Sequence, residues 1–128
     1  MRYLLDTHTF IWWNNEPEKL SAQVLTLCQE SNSQLYVSMV SLWEMQIKLQ
    51  LGKLKLHQSL EDIVQSQIIE NDIQLLDITA PHIFKLSMLE EHHKDPFDRL
   101  LISQSIHEDM PILSKDGVFG EYPVRVIW

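Results

Sequence analysis

At 128 residues, with 45% hydrophobic and 22% charged residues, the chain has the length of one domain spanning 1–128 and enough apolar material for a core. Its net charge of −8, from 10 Lys+Arg against 18 Asp+Glu, argues against the basic field of a general nucleic-acid binder and admits a cation site or a basic protein partner. No apolar run approaches the roughly 18 residues needed to span a bilayer, Asp6 and His8 interrupt any leader-like stretch, and the lone Cys28 cannot close an internal disulfide, so a cytoplasmic protein with no membrane association is expected.

Arg2–Asp6 (RYLLD) reads as a buried strand, and Thr7–Asn14 as a short helix. Glu18–Ser31 places Leu20, Val24, Leu27 and Cys28 at helical spacing. Gln34–Ser38 (QLYVS) is a second strand, followed by a helix over Ser41–Leu51 that Gly52 stops. Leu60–Glu70 reads as a helix and Gln74–Ile78 as a third strand. Pro81–Glu90 is a helix with proline in its first turn, and Pro96–Glu108 (PFDRLLISQSIHE) a longer one. Pro111–Ser114 and Val124–Trp128 supply a fourth and a fifth strand. Short apolar strands alternating with helices predict a three-layer α/β/α arrangement, with a central parallel sheet of about five strands covered on both faces. No repeat, low-complexity tract or linker divides the chain.

In such sheets the functional crevice lies at the carboxyl ends of the strands. Asp6 ends the first strand there, and Asp116 follows the fourth in ILSKDGVFGEY. Glu44 lies early on the third helix among largely apolar neighbours, and Asp98 opens the DRLLISQS helix. Four carboxylates meeting in one crevice repel one another unless cations neutralise them or some stay protonated. Hard oxygen ligands of this kind suit Mg²⁺ or Mn²⁺. One or two such ions, about 3.5–4 Å apart in the two-metal case, activate water for in-line displacement at a phosphodiester, with no Ser, Cys or His nucleophile. Ser114 and Thr7 could add hydroxyl contacts.

Each acid also has a plainer reading. Asp6, Asp98 and Asp95 are placed to cap helices, Asp116-Gly117 suits a turn, and Glu44 could be a solvated polar position. His92-His93 near Asp95 resembles a zinc cluster only loosely, without a Cys pair or HxxxH spacing. An aspartyl phosphatase would want a second Asp where His8 stands. No GxxxxGK[ST] or GxGxxG is present, and Trp12, Trp13 and Trp43 suit a core or interface better than base stacking.

The strings MRYLLDTHTFIWW, SLWEMQIKLQLGKL, HHKDPFDRLLISQSI and ILSKDGVFGEYPV resemble, in this order, the blocks of PIN-domain proteins, nearest to the VapC-like toxin ribonucleases of toxin–antitoxin pairs. The resemblance runs nearly end to end and implies a PIN fold with acids clustered at one end of the sheet. It assigns the four core acids to Asp6, Glu44, Asp98 and Asp116, with Asp95 and Ser114 accessory, as holders of Mg²⁺ or Mn²⁺ for endonucleolytic RNA cleavage. Arg99 and the Lys48, Lys53, Lys55 stretch are candidates for contacting phosphate, beside a reading as a solvated face. The resemblance further implies a cognate antitoxin partner and homodimer formation. Alternatives are a non-catalytic PIN-fold binding module and a structure-specific DNA nuclease. Thr7 and His8 have no assigned role.

Overall fold

The computed structural model describes residues 1–128. Five strands, β1 (Arg2–Leu5), β2 (Gln34–Ser38), β3 (Gln74–Leu76), β4 (Ile112–Leu113) and β5 (Val126–Ile127), form one sheet in the order β3-β2-β1-β4-β5. Every pairing is parallel. Six helices connect and cover them: α1 (Thr7–Asn15), α2 (Ala22–Gln29), α3 (Met39–Gln50), α4 (Leu60–Asn71), α5 (Ala80–Phe84) and α6 (Pro96–Glu108). The expected α/β sandwich with a five-stranded parallel sheet is the one found.

Side-chain alternation along β1 divides the core between the two faces of the sheet. Tyr3 and Leu5 join Phe10, Val24, Val37, Met45, Ile63 and Leu113 in one cluster. Leu4 joins Val40, Leu101, Ile102, Ile112, Phe119 and Tyr122 in the other. Leu4 and Leu5 are both fully buried, as a central parallel strand requires. A completely buried Leu or Phe contributes about 1.5–3 kcal/mol, so these two clusters hold the sheet edge in place.

Several boundaries shift for local reasons. Asp6 is not the last residue of β1 but the cap of α1, its Oδ1 accepting from the Thr9 amide at 2.8 Å. The helix expected over Glu18–Ser31 divides: Pro17–Lys19 is a 3₁₀ turn, and Ser21, extended, caps α2 through the Val24 amide. Helix α3 begins at Met39, two residues before the expected start, because Ser38 caps it directly off β2. It ends as expected, with Gly52 at φ +71°, a left-handed position that favours glycine. The helix expected over Pro81–Glu90 shortens to α5 and continues as a 3₁₀ turn over Lys85–Met88. Strands β3, β4 and β5 are shorter than their apolar runs, and a 3₁₀ turn over Gly117–Glu121 lies between the last two. Helix α6 matches its expected bounds, with Asp95 as cap and Pro96 in the first turn.

Candidate active site

The strand order runs outward in opposite directions from the β1/β4 pair, which makes their carboxyl ends the topological switch point where α/β sheets leave a crevice. A polar cleft of about 120 Å³ opens there, lined by Asp6, Thr7, His8, Glu44, Lys48, Asp95, Asp98 and Asp116. Four separate stretches of chain thus bring five carboxylates to one cavity that has no apolar wall.

Asp6 is both cap and cleft residue. While Oδ1 caps α1, Oδ2 accepts from Ser114 Oγ at 2.5 Å. The residue is 6% exposed, and burial pushes its carboxyl above the ordinary aspartate range, against the hydrogen bonds from Ser114 and Thr9 that favour the charged form. Ser114, at the end of β4, also accepts the Asp116 amide at 3.0 Å, so one hydroxyl ties two of the acids together. Asp116 caps the 3₁₀ turn through the Val118 amide at 3.0 Å, and its turn reading and its site reading therefore coexist.

Glu44 is buried on the second turn of α3. Its Oε1 accepts from Thr7 Oγ1 at 2.7 Å, and its Oε2 pairs with Lys48 Nζ at 2.6 Å, one helical turn on. Asp95 caps α6 through the amides of Phe97 and Asp98. Asp98, in that first turn, is pushed up to about 7, by burial first and then by the charges of Asp95, Glu44, Asp116 and Asp6. Burial together with four neighbours of like charge holds the Asp98 carboxyl above its ordinary range, a strain that a bound cation would relieve. The donor set, hard carboxylate oxygens with hydroxyls behind them, fits Mg²⁺ or Mn²⁺.

The remaining candidates separate. Lys48 lines the cleft but is committed to Glu44. Arg99 does not line it: its guanidinium donates to the Glu90 carbonyl at 2.8 Å and to the Tyr122 hydroxyl at 3.2 Å. His92 and His93 do not form a joint ligand pair, since His92 lies 3.2 Å from Glu90, whereas His93 stands between Tyr122 and Asp98. Sequence reasoning left Thr7 and His8 unassigned and did not single out Tyr122. Thr7 was legible in part, as a hydroxyl immediately beside the strand-end acid.

A second cluster, His82, His107 and Glu108, brings three ligand atoms within 4.8 Å of one another. It lies at the far end of α6 from Asp98, about 15 Å along the helix. His82 Nδ1 accepts the Thr79 amide at 3.1 Å, which leaves its proton on Nε2, 3.0 Å from Glu108 Oε2. This group is a hydrogen-bonded tie between α5 and α6, with the ring nitrogen that a cation would need already protonated.

Solved structures of the same architecture cover almost the whole chain. The crystal structure of VapBC2 from Rickettsia felis, bound to a DNA fragment from its promoter, contains a chain matching at TM-score 0.75 and 19% identity, over 99% of this chain and 98% of that one. FitAB bound to an IR36 DNA fragment matches at TM-score 0.67 and 17% identity, covering 99% and 94%. FitAcB from Neisseria gonorrhoeae matches at 0.65 and 15% identity, covering 100% and 97%. At these identities the likeness speaks to the fold. No curated protein gives a significant match. The PIN domain profile matches residues 3–124, nearly the full length, and the chain accordingly belongs to the PIN domain family.

Proposed function

We propose that this PIN domain is a Mg²⁺- or Mn²⁺-dependent endoribonuclease and the toxin of a VapC-like toxin–antitoxin module. The observation that carries the reading is the crowding of Asp6, Glu44, Asp95, Asp98 and Asp116 around one polar cleft, where burial and the neighbouring charges together lift Asp98 to about 7. When bound, the divalent ion supplies Lewis acidity to a phosphodiester and lowers the pKa of coordinated water. The protein's contribution is to hold the acids rigid. Ser114 and the Thr9 amide fix Asp6, Thr7 and Lys48 fix Glu44, and the Val118 amide fixes Asp116. Lys48, paired with Glu44 at the wall of the cleft, would be the cation placed to meet the substrate phosphate.

The partners follow the same line. A fold relative from Klebsiella pneumoniae is solved as a toxin–antitoxin complex, and an acidic cleft on a chain of net charge −8 suits an inhibitory antitoxin segment that presents a basic residue. Self-association is proposed through the exposed apolar residues Ile83, Phe84 and Met88, which sedimentation of a Phe84→Asp variant tests. No helix of the structure is long and apolar enough to cross a membrane.

The deciding experiment incubates the purified chain with single-stranded RNA and matched DNA, with EDTA or with Mn²⁺. Internal RNA cleavage that requires Mn²⁺ and is lost in Asp6→Asn supports the proposal. Preferential DNA cleavage, or Mn²⁺ binding without cleavage of either polymer, overturns it.

A further inference from the structure

Four of the five acids lining the cleft accept short hydrogen bonds from neighbouring groups. Asp6 accepts from Ser114 and the Thr9 amide, Glu44 from Thr7 and Lys48, Asp95 from two backbone amides, and Asp116 from the Val118 amide. The carboxylate of Asp98 has none of these. Its polar neighbour is His93, whose Nε2 lies 3.5 Å from Asp98 Oδ2. That nitrogen is sealed from solvent and has no other partner, although buried polar atoms nearly always find one.

The other side of the His93 ring favours a proton on Nε2. Nδ1 stands 2.7 Å from the Tyr122 hydroxyl, and the same hydroxyl is 3.2 Å from Arg99 Nη1. A guanidinium can only donate, so the tyrosine oxygen accepts from Arg99 and its single proton is free for His93 Nδ1. An accepting Nδ1 places the ring proton on Nε2 in the neutral imidazole, directed at Asp98. Each link is anchored. Tyr122 is 5% exposed in the core cluster of Phe119 and Leu101, and Arg99 is pinned a second time by the Glu90 carbonyl.

We propose that His93 is the positioning residue of Asp98: a directed chain from Arg99 through Tyr122 holds its Nε2–H toward Asp98 Oδ2 and so orients the carboxylate for a divalent cation. At 3.5 Å the contact is longer than a formed hydrogen bond, and it is the nearest approach of a side-chain nitrogen donor to this carboxylate. Hydrogen bonds of this outer kind commonly set metal affinity by 10–100-fold. The inference rests on the reading of the cleft as a metal site and adds to it a residue, His93, outside the carboxylate set.

The test is Mn²⁺ affinity, measured by calorimetry on the intact chain without substrate, together with thermal melting in EDTA. His93→Phe keeps a ring against Tyr122 and removes both nitrogens, and His93→Gln returns a donor. The expected result is a loss of Mn²⁺ affinity of roughly 10-fold or more in His93→Phe, partly restored in His93→Gln. Tyr122→Phe, which keeps the buried ring and breaks the chain at its middle, shifts affinity in the same direction. In an Asp98→Asn background His93→Phe has no further effect, because the two residues act as a unit. Mn²⁺ binding by the parent chain that His93→Phe and Tyr122→Phe leave unchanged overturns the role of His93 alone. An absence of Mn²⁺ binding in the parent chain overturns both this role and the metal-site reading. If His93→Phe does not fold, the Tyr122→Phe comparison decides with the same outcomes.

Discussion

Ser114 Oγ lies 2.5 Å from Asp6 Oδ2 while accepting the Asp116 amide at 3.0 Å, so a single buried hydroxyl couples the acid after β1 to the acid after β4. The sheet makes this possible. Leu5 and Leu113 are register partners, which brings the residues just beyond them side by side at the switch point.

Replacing Ser114 with Ala is therefore expected to act on two acids at once. The Asp6 carboxylate and the Asp116 amide each lose a partner in a site where Ser114 is 1% exposed. A buried group left without its hydrogen bond costs about 1–3 kcal/mol, and Mn²⁺ affinity should fall by roughly 10-fold or more. Chemical denaturation and Mn²⁺ titration check the two parts. An unchanged Mn²⁺ affinity counts against Ser114 as an organiser of the site.

Asp6→Asn separates the two functions that the position combines. The amide oxygen can still cap α1 through the Thr9 amide, so helical content stays near that of the parent chain and the melting temperature does not fall. The lost charge removes a proposed cation ligand, and the proposed RNA cleavage is expected to drop by at least roughly a hundred-fold. Circular dichroism beside a cleavage assay decides. Retained cleavage at the parental rate shows that Asp6 is only a cap.

These two cases mark how far the chain could be read unaided. Strand-end placement exposed Asp6 and Asp116, because short apolar runs alternating with helices leave little doubt about which sheet edge they share. Helix α6 was legible in full, since Asp95-Pro96 signals its start and the apolar spacing its length. The joining of Glu44 to Thr7 was not legible, because it depends on how α3 packs beside α1 rather than on any local pattern. The same holds for His93, whose partners Asp98 and Tyr122 come together only through tertiary packing. The break before α2 failed for a different reason. Apolar spacing continues across Leu20, and it conceals the stronger local claim of Ser21 as a cap.

Thr7→Val tests that long-range contact. Valine matches threonine in shape but cannot donate, so Glu44 Oε1 loses its 2.7 Å partner in a buried position. A destabilisation of about 1–3 kcal/mol is expected, with weaker Mn²⁺ binding, and Thr7→Ser should recover both. Denaturant unfolding of the three proteins measures this. Equal losses in Val and Ser would point to packing and not to the hydroxyl.

The acid crowding makes a signed statement about pH. Asp98 titrates at the ordinary 3.8 when unfolded and is pushed up to about 7 when folded, so the folded chain holds its proton more tightly. A raised carboxyl costs nothing below about pH 4, when both states are protonated. The cost grows as pH climbs from about 4 to 7, where the unfolded state has ionised freely, and it is complete above 7. Burial of Asp6 works in the same direction. In EDTA, stability is therefore expected to decline between pH 5 and pH 8, and Asp98→Asn, which cannot ionise, should melt higher than the parent chain at pH 8 by roughly 3–6 °C. At pH 5 that gap narrows. Saturating Mn²⁺ should raise the parent chain at pH 8 far more than it raises Asp98→Asn, because the cation neutralises the repulsion that the substitution has already removed. Melting curves at the two pH values, with and without Mn²⁺, provide the check. A gap between the two proteins that does not change with pH would mean that the carboxylates do not feel one another.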